Sequence, residues 1–314
     1  MKKNPYKLSV LDLVPVYENE SDSHALQRAV ELAQAAERLG YTRYWAAEHH
    51  DMPHLACPSP EVLLAHIGAR TERIRLGSGA LLLPHYSPLK VAESFRMLAA
   101  LYPGRMDLGI GRAPGGKAHA SMALSGNFLE NVRQMPNKLE GVVKLLQDSY
   151  TYEGEAVSAR PNPPEEPEIW LLGTNRKSAE YAASSGMGYV FGQFMSDTDA
   201  GEVLRAYREA FVPSAQLEEP KVILTVGAIC AETDEEARQW ADSSAALYRD
   251  EKQQEAALPY SEDKLLVGTA ESIHGRISQL SELYDADEFM LVTHIPDYNK
   301  RQRSYELLAG GFAN

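Results

Sequence analysis

A chain of 314 residues, 44% hydrophobic and 24% charged, has the composition of a globular protein, which excludes disorder, a collagen-like repeat and a coiled coil. Its net charge of −13 repels phosphate backbones and anionic lipid, so no nucleic-acid or membrane partner is expected, and no apolar run approaches the roughly 18 residues a bilayer crossing needs. The first sixteen residues break their apolar stretch at Asp12 and Pro15, unlike a signal peptide, and Cys57 and Cys230 stand far apart, which together predict a cytoplasmic protein with reduced thiols.

The elements alternate. Lys7 to Leu13 reads as a buried strand, and Ser23 to Leu39 as a helix opened by Ser21, Asp22 and Ser23 and stopped by Gly40. A second strand over Arg43 to Ala47 leads to a helix over Pro58 to Thr71, whose Pro60 sits in a first turn where the missing N–H has no helical partner anyway. The third strand, Ile74 to Leu83, is glycine-rich; a helix over Pro88 to Leu101 and a strand over Arg105 to Ile110 follow. A polar excursion, Arg112 to Asn127, precedes a helix predicted over Phe128 to Gln147. Pro161, Pro163, Pro164 and Pro167 make Tyr150 to Pro167 an extended surface connection rather than helix or central strand. Strands are predicted again at Glu168 to Leu172, Tyr189 to Phe194, Val222 to Ile229 and Glu288 to Thr293. Helices are predicted at Lys177 to Ser185, Asp199 to Phe211, Asp234 to Arg249, Ser272 to Tyr284 and Asn299 to Leu308.

Eight strands alternating with helices through short connections predict an α/β fold of parallel strands joined by right-handed crossovers. A closed (β/α)8 TIM barrel and an open doubly wound sheet both satisfy this pattern. The count of eight favours the barrel. So does the third strand, where Gly77 and Gly79 suit a place that a ligand or backbone approaches closely. The chain therefore reads as a single domain over 1–314, with an insertion after strand 4 and a short lid-like segment near 250–264.

Active sites of such barrels lie at the C-terminal ends of the strands. Those ends carry Asp12, Glu48-His49-His50-Asp51 with His54 behind, Gly77 to Ala80, Gly111-Arg112 followed by Gly115-Gly116-Lys117, and Leu172 to Arg176. A histidine beside a carboxylate acts as acid, base or metal ligand. Three readings of Glu48-His49-His50 stand open: acid–base chemistry, a metal site drawn from Glu48, His50, Asp51 and His54, or polar residues of a barrel rim. The glycines at 109, 111, 115 and 116 do not make a dinucleotide fingerprint, because the third is misplaced and Pro114 interrupts the receiving helix. What remains is Arg112 at a strand end, suited to a single phosphate or to an ordinary surface ion pair. Thr174, Asn175 and Ser178 add neutral donors at a helix start, or serve only as caps.

The stretches TRYWAAEHHDMP, RIRLGSGALLLPHYSPLKVAESFRMLAALYPGRMDLGIGRAPGG, EIWLLGTNRKSAEYAASSG and LVGTAESIHGRISQLSELYDADEFMLVTH resemble the bacterial luciferase-like flavin-dependent monooxygenases. The likeness is closer to the single-chain luciferase-like oxidoreductases than to the light-emitting subunits. It implies a TIM barrel that binds FMN, taken as reduced FMN from a separate reductase, and works with dioxygen on a small-molecule substrate. By the same resemblance His49 faces the flavin's reactive edge and moves a proton, and Glu48 orients the ring system or His49. Gly79 and Ala80 match a site where the family often has a non-proline cis peptide under the ring. Arg112, and Arg133 as a second cation, match phosphate-binding positions, while Leu172, Gly173, Thr174, Asn175 and Ser178 match the segment that holds the ribityl chain and phosphate. Gly111 stands where the light-emitting subunits have a reactive cysteine, and the presumed lid is much shorter than theirs. A deazaflavin-dependent oxidoreductase, a non-catalytic flavin-binding protein and a metal-dependent barrel hydrolase are the alternatives. Asp12, Val14, His85, Phe191 and Gln193 are candidates for the substrate pocket. The apolar helices over 58–71 and 88–101 predict a homodimer.

Overall fold

The computed structural model describes residues 6–247 and 264–310. The predicted lid, Asp250 to Lys264, falls outside the described residues except for Lys264 itself. The first half runs β1 (Lys7–Asp12), α1 (Asp22–Arg38), β2 (Arg43–Ala46), α2 (Pro60–Gly68), β3 (Arg75–Ser78), β4 (Leu81–Leu82), α3 (Pro88–Leu101) and β5 (Met106–Gly111). The insertion holds α4 (Ala118–Ser125) and α5 (Phe128–Arg133), followed by α6 (Met135–Leu146) and a small hairpin, β6 (Thr151–Tyr152) and β7 (Glu155–Ala156). The second half runs β8 (Glu168–Gly173), α7 (Arg176–Ser184), β9 (Gly188–Gly192), α8 (Ala200–Glu209) and β10 (Val222–Cys230). It closes with α9 (Asp234–Leu247), β11 (Leu265–Gly268), α10 (Ala270–Tyr284), β12 (Glu288–Val292) and α11 (Tyr298–Gly310).

Local chemistry sets the helix starts. Ser21, Ser87, Asp199 and Thr269 each accept, through the side chain, a backbone N–H three residues on, which satisfies one of the donors a helix start leaves open. The strands pair in parallel in the order β12, β1, β2, β3, β5, β8, β9, β10, and β10 returns to β12, so the sheet is the predicted closed barrel. Because every pairing is parallel, all C-terminal ends share one rim.

Four elements depart from the sequence reading. The third strand stops at Ser78, and a cis peptide between Gly79 and Ala80 separates it from β4 and a 3-10 turn at Leu83–His85. The helix predicted over 128–147 is two helices that meet at Gln134, because Pro136 has no N–H to offer the preceding turn. The polar excursion contains α4. Finally, β10 pairs with β9 through Val222–Thr225 and then with β11 through Gly227–Cys230. A four-residue strand beside a long polar run left no period to recognise.

The barrel interior is layered. At its floor Asp107, fully buried, accepts from Arg43 Nη1 and Trp45 Nε1, both at 2.9 Å, and from Arg75 Nε at 3.0 Å. Arg43 also reaches Glu288 at 2.8 Å and Glu168 at 3.1 Å, and Ser9 donates to Glu288 at 2.6 Å. Above this ionic floor, Trp45 and Trp170 meet edge to face with centroids 6.1 Å apart. This layer explains the glycines: a Cβ at Gly77 would lie 2.5 Å from Trp45 Nε1, and one at Gly188 would overlap the Trp170 indole. Gly77 therefore makes room for a tryptophan rather than for the ligand its sequence context suggested. Leu11, Ala47, Val190, Ile223, Met290 and Val292 complete the layer, and Leu13, Leu172 and Phe194, half-buried, cover it on the rim side.

Outside the barrel, the proline-rich connection has little strand pairing of its own and is held by one side chain. Arg96, 1% exposed, donates to the Leu146 and Ala159 carbonyls and pairs with Asp148 and Glu166.

Candidate active site

Trp45 and Ala47 belong to the inner cluster, Tyr44 and Ala46 to the outer one. The same alternation carries His49 to the lumen side and sends Glu48 and His50 outward together. The contact between them bears this out: His50 Nε2 lies 2.7 Å from Glu48 Oε1. Glu48 is 2% exposed, and its carboxylate also accepts from Tyr86 Oη at 2.9 Å and from the Leu82 backbone N–H at 2.8 Å. It thus joins the end of β2 to the loop after β3. Lys138 on α6 steadies that loop by donating to the Pro84 and Tyr86 carbonyls at 3.0 and 2.9 Å. Glu48 bonds to neither nitrogen of His49.

His49 is the more isolated imidazole. Its Nδ1 is buried without a hydrogen-bond partner of normal geometry. Burial holds the ring below the ordinary histidine range, and the nearby Glu48 charge and Ala47 backbone only partly offset this. The ring is neutral at pH 7 and above.

The Gly115-Gly116 pair serves contact rather than flexibility. Gly115 takes a positive φ and accepts from the His50 N–H at 2.8 Å, while a Cβ at Gly116 would overlap the His50 carbonyl. The insertion is thereby docked on the strand-two loop. His85 holds it from the other side, contacting the Pro114 carbonyl at 3.0 Å and Ser125 Oγ at 3.1 Å and stacking on Phe128. Arg112, between these contacts and β5, is exposed and has neither hydrogen bond nor ion pair among the described residues. In a chain with this excess of carboxylates, an unpaired guanidinium at a barrel rim is a ready anion anchor. Arg133 is different: it pairs with Glu130 along α5 and stays 81% exposed, and none of its contacts ties it to the rim.

After β8, Asn175 and Ser178 form a reciprocal capping box at the start of α7. Ser178 Oγ also meets the Tyr189 hydroxyl at 2.9 Å, and a Cβ at Gly173 would overlap that oxygen. What Thr174 and Asn175 still offer a ligand is backbone, the Thr174 hydroxyl and the Asn175 amide N–H2. Among the pocket candidates, Asp12 is fully buried, held by Arg301 at 2.8 Å and Tyr44 at 2.7 Å, and does not line the mouth. Phe191 is likewise in the outer core, and Val14 is buried with φ of 54°. Gln193, 8% exposed with Oε1 unsatisfied, keeps polar capacity free. Among the described residues no three His, Cys, Asp or Glu side chains come together as a metal-holding group. The Tyr86 link to Glu48 was invisible in sequence, since 38 positions separate the two, whereas alternation already put His50 on the same side as Glu48.

The family model for luciferase-like monooxygenases matches residues 8–287. The N-acetyl-S-alkylcysteine monooxygenase of Bacillus subtilis (strain 168) is 37% identical, over 96% of this chain and 97% of its own length. The crystal structure of apo-MsnO8 superposes with a TM-score of 0.90 at 37% identity, covering 98% of each chain. At 19% identity and a TM-score of 0.78, the oxygenating constituent of 3,6-diketocamphane monooxygenase from Pseudomonas putida, solved in complex with FMN, shares the fold over 98% of each chain. No helix of the described residues is long and apolar enough to cross a membrane.

Proposed function

The chain belongs to the luciferase-like monooxygenase family, and from that premise we propose that it is an FMN-dependent monooxygenase, using reduced FMN from a separate reductase together with dioxygen on a small organic substrate. One observation carries the reading: an unpaired guanidinium, Arg112, shares a barrel rim with a half-buried imidazole, His49, whose Nδ1 is buried and unsatisfied. A phosphorylated, flat, largely apolar cofactor suits that donor set.

When bound, the flavin supplies the redox chemistry, and the protein supplies placement, charge and dryness. Arg112 would hold the phosphate, and the segment from Leu172 to Ser178 would offer it backbone, the Thr174 hydroxyl and the Asn175 amide. Leu13, Leu172 and Phe194, which pack on the tryptophan layer, would give the ring system an apolar seat, with Gly79 and Ala80 as further contacts. His49 would hydrogen-bond the cofactor through its unsatisfied Nδ1. The relative that acts on N-acetyl-S-alkylcysteines makes small thioethers the first substrates to try.

An FMN titration followed by fluorescence quenching tests this. The unaltered chain is expected to bind at micromolar levels and Arg112→Ala about 10–100-fold more weakly, the loss of a charge-assisted contact. Binding no tighter than millimolar overturns the reading.

Dimerisation through α2 and α3 belongs to the same proposal. Val62, Met97 and Leu101 on these two contacting helices are 66%, 57% and 55% exposed, and apolar side chains gathered on one face mark a surface for association. A mass of twice the chain in light scattering is the expected result; a monomeric mass contradicts it.

A further inference from the structure

Thioether side chains that the core does not use gather at the barrel mouth. Among the described residues four methionines are exposed. Three of them stand on elements that follow the C-terminal ends of strands: Met52 after β2, Met122 on α4 and Met195 in the 3-10 turn after β9. Met97 on α3 is the exception. Met195 is the most exposed of the four, at 61%. On β9, Val190 belongs to the inner cluster and Phe191 to the outer one, so alternation turns Gly192 to the lumen. A Cβ at Gly192 would lie 3.3 Å from Met195 Cγ, 3.7 Å from Met195 Sδ and 3.4 Å from Thr174 Cγ2. The same alternation on β8, where Trp170 and Leu172 face the inner layer, carries Thr174 inward. The Met195 sulfur therefore lies on the lumen side of the rim, beside Thr174. Ser196 Oγ, donating to the Thr174 carbonyl at 2.9 Å, ties the turn to that segment.

We propose that Met195 is a modification site, converted to methionine sulfoxide by hydrogen peroxide released at this mouth. The proposal rests on the flavin reading above. The oxidant is the product of dioxygen that takes two electrons and two protons from reduced flavin when no substrate receives the oxygen. A sulfur lone pair attacks one peroxide oxygen, and the S–O bond forms as the O–O bond breaks. The second oxygen leaves as hydroxide and takes up the proton of the first, giving water. Sulfur is oxidised by two electrons, and the peroxide is reduced by the same two. A flexible apolar side chain thereby becomes a polar one at the lumen side of the rim.

Peptide mass spectrometry tests this. The chain is given reduced FMN and dioxygen without substrate, in the presence of catalase and free methionine. Catalase removes the peroxide that escapes, and free methionine reports what reaches bulk water. The comparison is flavin-free protein treated with added hydrogen peroxide and free methionine, without catalase. Oxidation of Met195 relative to the free amino acid is expected to be at least about tenfold higher in the first treatment, because peroxide released at the mouth meets Met195 at a higher effective concentration. The tryptic peptide 178–205 also contains Met187, which is 1% exposed, so Met195→Leu is expected to abolish the oxygen gain in that peptide. Equal ratios in the two treatments, or an oxygen gain that persists in Met195→Leu, overturn the proposal. Absent FMN binding in the titration overturns the flavin reading and this one together, whereas equal ratios in a chain that binds FMN overturn this one alone. The first comparison needs no variant, so a misfolded Met195→Leu does not remove the test.

Discussion

Asp107→Ala is expected to destabilise the barrel by about 3–5 kcal/mol, the usual result of removing one partner from a buried ion pair. The aspartate is fully buried and accepts from Arg43, Arg75 and the Trp45 indole at once. Deleting it leaves the buried Trp45 N–H without its acceptor and takes the shared carboxylate from Arg43 and Arg75, which keep only Glu288 and Glu168 as carboxylate partners. Urea unfolding gives the number, and a loss below about 1 kcal/mol would mean the floor is wet or rearranges. The same cluster makes stability depend on pH. Burial pushes the Glu168 carboxyl up, but Arg43, Arg75 and Lys221 more than offset this and hold it below the ordinary glutamate range. A carboxyl depressed in the folded state contributes its stability above the ordinary range. That contribution is lost as the pH falls through the depressed value. Asp107→Ala should blunt this acid sensitivity, because it disorganises the cations that create it.

For His49→Ala we expect kcat to fall about 100–1,000-fold, the effect of removing one preorganised hydrogen-bonding group from the reacting centre. FMN affinity should stay within a few-fold, since Arg112 is untouched. The loss should be uniform across neutral and alkaline pH, because burial already keeps this ring neutral there. Steady-state kinetics from pH 5 to 9 checks this, and a His49→Ala enzyme with unchanged kcat would remove this residue from the chemistry. The depressed imidazole also carries a stability sign. The folded form resists protonation, so stability is lost as pH falls from the ordinary histidine range toward the depressed value.

The sequence by itself determined the barrel. All eight lumen strands were legible, because a strand buried on both faces is a near-continuous apolar run and each is followed by a helix with a recognisable start. It also determined which residues reach the rim, since parallel connection sends every strand's last residue to the same side. The tertiary structure alone decided what those residues touch. Period-two alternation separates Glu48 from His49, but only the fold brings Tyr86 and the Leu82 N–H onto that carboxylate and leaves His49 Nδ1 without a partner. The glycines show the same division. Gly77 looked like the mark of a ligand's approach and is instead the space taken by Trp45, just as Gly188, which carried no such reading, is the space taken by Trp170 from its neighbouring strand. Asp12 sits at a strand end as predicted, yet Arg301, which lies 289 positions away, holds it inside the wall. Local pattern encodes the backbone's path, because periodicity and capping act over a few residues. Pairing between side chains depends on contacts made across the whole chain, and those exist only once the barrel has closed.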